Sequence, residues 1–142
     1  MKKLIALSLI LLSSATLGFS KTDDQITDLD AALKQASTDN KALFIIYGRP
    51  TCGNCNALHG YLDQHQLRLT KTAFLVANIN CDDPAQSKVF YGKYKGSIEG
   101  NTLPFVVISK PDGSLVKART GFGTAEQFNE FIRDAKRDLK KE

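Results

Sequence analysis

Two thiols separated by two residues, in Cys52-Gly53-Asn54-Cys55, are the part of this chain best suited to chemistry. Cysteines at that spacing can close a disulfide within one chain, exchange it with another thiol, or hold a soft metal ion. A third cysteine, Cys81, stands alone, so one thiol is left over once the pair has closed. Its plain reading is a small, semi-buried thiol. Its sharper readings are a third redox thiol or a point of pairing with another chain. Arg49 precedes the pair, and its charge would either favour a nearby thiolate or simply be solvated. His59 follows Cys55 by four residues. A histidine titrates near neutral pH and is able to take a proton from a thiol, although a local hydrogen bond is its plainer role. His65 falls at helical spacing on the apolar stripe of the same segment, the place of a core-edge histidine.

These groups act only if the backbone holds them. Ile26, Leu29, Leu33 and Ala36 recur in helical register and predict a helix over Asp28 to Ser37. Ser37-Thr38-Asp39-Asn40 reads as a turn, and Ala42 to Tyr47 as a continuously apolar, buried strand. Gly48-Arg49-Pro50-Thr51 breaks that strand. Helical spacing resumes through Cys55, Leu58, Leu62, His65 and Leu69, fraying before Leu69. Phe74 to Asn80 is the next strand. Asp83 then serves as N-cap and Pro84 as first residue of a helix that runs to Tyr94. Lys95 to Thr102 is a polar, glycine-bearing loop. Leu103 to Ser109 forms the third strand, and Pro111-Asp112-Gly113 turns it into a returning strand over Leu115 to Thr120. Thr124 and Gln127 make a capping box for a last helix whose apolar face is Phe128, Phe131, Ile132, Ala135 and Leu139.

The first two strands are separated by a helix and are expected to run parallel, whereas a tight turn makes the last two antiparallel. An α/β fold follows, with a mixed sheet of about four strands and helices on both faces. In this order the cysteine pair falls where the first strand gives way to a helix. A helix N-terminus carries unpaired N–H groups and partial positive charge. A thiolate placed there is stabilised, so Cys52 is expected to be exposed and activated, and Cys55, one turn in, to be more buried. Thiol exchange needs that asymmetry: one sulfur attacks and the other resolves the mixed disulfide.

In these features the chain resembles the thioredoxin-like family. The resemblance rests on Tyr47-Gly48-Arg49-Pro50-Thr51-Cys52-Gly53-Asn54-Cys55 after a strand, on Asn78-Ile79-Asn80 before Asp83-Pro84, on Leu103-Pro104-Phe105 opening a strand, and on the Pro111-Asp112-Gly113 hairpin. It spans residues 26–140. It implies a thiol–disulfide interchange protein in which Cys52 is the attacking and Cys55 the resolving cysteine. It also implies that Pro104 is a cis-proline beside the disulfide, and that Leu103 presents its backbone to an extended substrate segment. Main-chain hydrogen bonds of that kind bind flexible polypeptide with little sequence preference.

The chain also departs from the family. Thr51 stands where a tryptophan is common, and Asn54 where a proline is often found between the cysteines. Ile46 takes the position, six residues before Cys52, of the buried acid that assists proton removal from the resolving cysteine in thioredoxins proper. That loss leaves the resolving step without an obvious base. The leading strand of full-length thioredoxins is also missing from the pattern.

Met1-Lys2-Lys3, an apolar run from Leu4 to Leu12 broken only by Ser8, and small residues to Ser20 form the pattern of a secretory signal peptide. The run is short of the roughly 20 apolar residues that span a bilayer. Residues 1–20 are therefore read as a signal peptide, cleaved after Ser20 or Gly18, and residues 21–142 as one domain. No cysteine at the junction points to a lipid anchor. Export places the protein in the periplasm or outside the cell, where disulfides persist. The net charge of +4 at pH 7 is interspersed, which is not a nucleic-acid signature. Neither an internal repeat nor a low-complexity stretch divides the chain.

The function expected is thus disulfide exchange in the cell envelope with cysteine-containing protein substrates, served by a membrane redox partner, with no cofactor and no metal. Two alternatives use the same residues. One is a copper- or zinc-handling module built on Cys52, Cys55 and a histidine, although zinc sites usually offer two close pairs of ligands. The other is a non-catalytic interaction domain with a structural disulfide, although so short a loop gains little entropic stabilisation from closure.

Overall fold

The computed structural model describes residues 25–141, so the reading of residues 1–20 as a signal peptide lies outside the described residues. The chain forms α1 (Leu29–Asp39), β1 (Ala42–Gly48), α2 (Gly53–Asp63), β2 (Phe74–Asn80), α3 (Pro84–Tyr94), a short 3₁₀ turn (Lys95–Ser97), β3 (Phe105–Ser109), β4 (Leu115–Thr120) and α4 (Ala125–Leu139). The helices start where capping chemistry sets them. Asp28 accepts the Ala31 N–H, Asp83 accepts those of Ala85 and Gln86 with Pro84 just inside the helix, and Thr124 and Gln127 close a reciprocal capping box. Gln86 of α3 also receives the Leu29 N–H and donates to Asp28, which ties the starts of α1 and α3 together.

The strands lie in the order β2-β1-β3-β4. β1 runs parallel to β2 and antiparallel to β3, and β3 is antiparallel to β4. The expected α/β fold with a four-stranded mixed sheet is therefore present. β1 is buried along its whole length, and its alternating side chains feed two cores. Leu43, Ile45 and Tyr47 pack with Leu29, Phe90 and Tyr94 under α1 and α3. Phe44 and Ile46 pack with Leu58, Phe128 and Ile132 under α2 and α4. Helices thus cover both faces, and the C-terminal ends of β1 and β2 come together at one end of the sheet, where the cysteines lie.

Four local expectations are corrected. Ile26 is not in the first helix: with Asp28 as cap, it is extended and bridges β2, donating to Val76 O at 3.2 Å and accepting from Asn78 N at 2.8 Å. A leading strand is thus reduced to one bridge among the described residues. α1 instead continues through Thr38, whose hydroxyl bonds back to Lys34 O, to a left-handed Asn40. α2 ends at Asp63, earlier than its spacing suggests. His65 adopts φ 54°, its N–H reaches Leu62 O, and the Gln66 N–H reaches Tyr61 O. This Schellman pattern ends the helix and turns His65 into solvent rather than onto an apolar stripe. Finally, β3 begins at Phe105, because Pro104, lacking an N–H, precedes the ladder rather than joining it.

Candidate active site: a cysteine pair at a strand–helix junction

β1 ends at Gly48 and the chain turns into α2 through residues 49–51. The Cys52 N–H donates to Arg49 O at 3.1 Å, and the Asn56 side chain donates to Pro50 O at 3.0 Å, so the turn is held from within and from the helix. Cys52 is the N-cap of α2, and its Sγ accepts the Cys55 N–H at 3.2 Å. Its sulfur takes the place that a serine or aspartate oxygen usually fills, on a donor that the helix itself cannot satisfy. Negative charge on that sulfur is favoured by the same N–H and by the helix dipole.

The two sulfurs differ in access. Cys52 is half-buried, whereas Cys55 is 2% exposed. Their Cα atoms are 5.2 Å apart, within the usual span of a disulfide, and the pair is joined.

Gly48, at the end of the strand, is what lets Cys55 fit. A Cβ built on Gly48 would lie 2.6 Å from Cys55 Sγ and 3.9 Å from Pro104 Cβ. Strand end, buried sulfur and proline therefore meet at one point. The Leu103–Pro104 peptide bond is cis, and Pro104 is buried. Two interactions hold this loop. Gly121, at φ 76°, donates its N–H to both Thr102 O and Pro104 O, at 2.9 and 3.0 Å, and Asn54 Nδ2 approaches Leu103 O at 3.4 Å. Asn54, between the cysteines, thus spans from α2 to the backbone of Leu103.

Arg49 serves a different sulfur from the one beside it in sequence. Its Nε donates to Cys81 Sγ at 3.4 Å and its guanidinium pairs with Asp82 at 3.2 Å. Cys81 follows β2, its N–H bonded to Gly48 O at 2.7 Å, and it packs on the core under α1 and α3. Cys55 lies beneath α2, on the other face, with the Gly48 backbone between them. The fold brings all three cysteines to one end of the sheet but divides Cys81 from the pair.

His59 is half-buried in α2, one turn past Cys55. Burial pushes its imidazole below the usual range, against smaller opposing pulls from Asp63 and Asn78. Nothing in the sequence marks Asn78 as a site residue, because its partners depend on strand register. Among the described residues, no three His, Cys, Asp or Glu side chains gather in a metal-binding group.

Comparison with known proteins agrees with this geometry. No curated protein matches the chain. Among solved structures, a point mutant of thioredoxin from Halobacterium salinarum NRC-1 is similar, with a TM-score of 0.57 and 19% identity over 78% of this chain and 88% of that one. At such identity the likeness concerns the fold. Residues 29–136 match the family model described as a thioredoxin-like domain. With its four-stranded sheet and a cysteine pair at disulfide distance, an arrangement that supports thiol–disulfide oxidoreductase chemistry, this chain belongs to the thioredoxin-like domain family.

Proposed function

We propose that the protein is an exported thiol–disulfide oxidoreductase that exchanges disulfides with cysteine-containing protein substrates in the cell envelope. The observation that carries this reading is the unequal pair: Cys52 sulfur caps α2 and receives the Cys55 N–H, while Cys55 is buried behind it. Cys52 is the attacking sulfur, because a helix start lowers the cost of its thiolate. Cys55 is the resolving sulfur, within bonding distance of Cys52 but shielded from a bulky client. The Leu103 backbone, beside cis-Pro104, offers an extended client segment main-chain hydrogen bonds without demanding a sequence.

The envelope location rests on the signal-peptide pattern at residues 1–20. A membrane redox partner would then renew the pair after each turnover. Which way electrons flow is set by the reduction potential of the Cys52–Cys55 couple. A strongly negative value makes the protein a reductase, and a value near the oxidising end makes it a disulfide former.

The test is exchange itself. The wild type is expected to reduce insulin or oxidise a reduced peptide, and Cys52→Ser to do neither. Cys55→Ala is expected to retain clients as mixed disulfides on Cys52. Equal activity of wild type and Cys52→Ser would end this reading, as would a Cys52 thiol that titrates like free cysteine.

A further inference from the structure

The resolving cysteine needs a base, and the position that would carry an acid holds Ile46, which is fully buried. The parallel pairing of β1 and β2 sets Asn78 directly beside Ile46. Side-by-side residues of paired strands point to the same face, here the face covered by α2. Two residues further along β1, Gly48 meets the Cys55 sulfur. One turn further along α2, a residue four after Cys55 drops by a helical pitch, close to two residues of strand. Cys55 faces Gly48, and His59 faces the level of Ile46 and Asn78. Asn78 Nδ2 donates to Gln25 Oε1 at 3.3 Å, so Asn78 Oδ1 is the atom that a ring N–H of His59 would engage. The other ring nitrogen keeps its lone pair.

We infer that His59, oriented by Asn78, is the proton acceptor for Cys55 in the resolving step. The inference rests on the disulfide-exchange reading above. Residues four apart on a helix have Cβ atoms about 5–6 Å apart, within reach of direct or one-water proton transfer. Among the described residues, Asp63, one turn further along α2, is the charged group that acts on the imidazole, while β1 and β2 present the uncharged Ile46 and Asn78. Burial keeps the ring neutral near pH 7, the form that accepts a proton.

The step balances as follows. With Cys52 joined to a client sulfur, His59 takes the Cys55 proton. The Cys55 electron pair then forms the bond to Cys52 Sγ as the Cys52–client bond breaks. The pair of that bond leaves on the client sulfur, which receives the proton from the imidazolium. The protein pair is oxidised and the client is reduced by two electrons. In the opposite direction the same nitrogen returns the proton to Cys55.

Stopped-flow reaction of the reduced protein with dithiobis(nitrobenzoate), in a Cys81→Ser background, separates the two sulfurs. The first release of thionitrobenzoate reports attack by Cys52, and the second reports resolution by Cys55. His59→Gln is expected to leave the first phase within about twofold and to slow the second by roughly 100-fold at pH 7, the low end for a positioned base. The two second-phase profiles should draw together as the pH rises, because hydroxide can then take the Cys55 proton without the imidazole. Asn78→Ala should slow the same phase by a smaller factor, and it carries the test if His59→Gln loses its circular-dichroism signature. An unchanged second phase overturns the proposal, and so does a loss that is equal at every pH. Absence of a fast first phase in the wild type instead overturns the exchange reading beneath it.

Discussion

Gly48 and Cys55 pack so closely that a single added carbon on the glycine would sit 2.6 Å from the sulfur, inside any non-bonded approach. The strand must therefore end on a residue without a side chain for the buried cysteine to seat. Gly48→Ala is expected to destabilise the oxidised protein by about 1–3 kcal/mol, the range for overpacking a filled interior. Gly53→Ala is the control, since a Cβ there meets nothing within 4 Å. At the first position of α2 it should be neutral or stabilising by up to about 1 kcal/mol. Urea unfolding of the two variants checks the contrast, and equal midpoints would show that the crowding at Gly48 is relieved at no cost.

Arg49 is expected to do nothing for Cys52, despite standing three residues before it, because its side chain is engaged by Cys81 and Asp82. Arg49→Ala should leave the alkylation rate of Cys52 within about twofold, whereas a guanidinium acting on that thiolate would change it by tenfold or more. Its stability effect should stay below about 1 kcal/mol, since both partners of the ion pair are exposed. Mass spectrometry of the separately labelled cysteines distinguishes the outcomes.

His59 makes a pH-dependent contribution to stability whose sign follows from its burial. Its pKa in the folded protein lies below the usual value, first because of desolvation. Above the unfolded value of about 6.5 the ring is neutral in both states, and the fold carries no penalty. As pH falls through that value the unfolded chain takes up the proton first, so stability is lost until the folded pKa is passed, after which the loss is constant. His59→Gln should remove this part of the acid slope. Paired urea titrations of both proteins near pH 7.5 and pH 5 isolate it from the carboxylates, and parallel slopes would contradict it.

The last helix should separate stability from chemistry. Thr124→Ala removes one half of the capping box and is expected to cost about 1 kcal/mol. Phe128→Ala empties a fully buried ring position that also faces the Arg119 guanidinium at 4.2 Å, and should cost about 3–5 kcal/mol. Neither residue touches the cysteine pair. The Cys52 alkylation rate of folded Thr124→Ala should therefore match the wild type, and a changed rate would reveal coupling between α4 and the site.

Much of the fold was written in local pattern. The unbroken apolar run of Ala42–Tyr47, the caps at Asp83 and Thr124, and the Pro111-Asp112-Gly113 turn each act within a few residues, so composition and spacing exposed them directly. Expectation failed where a neighbour in space overruled spacing. Ile26 fits a helical register but is drawn to the open edge of β2. His65 fits the stripe of α2 but follows the residue at which that helix closes its last hydrogen bonds.

The sequence alone determined that two thiols stand one turn apart at the mouth of a helix, because both the spacing and the strand–helix switch are short-range features. It could not say that Arg49 turns to Cys81, that Gly48 seats Cys55, or that Asn78 flanks Ile46 beneath His59. Those relations depend on the register of β1 against β2 and on which face each helix covers. Both are set by burying side chains far apart in the chain, and only the folded structure brings them to the same place.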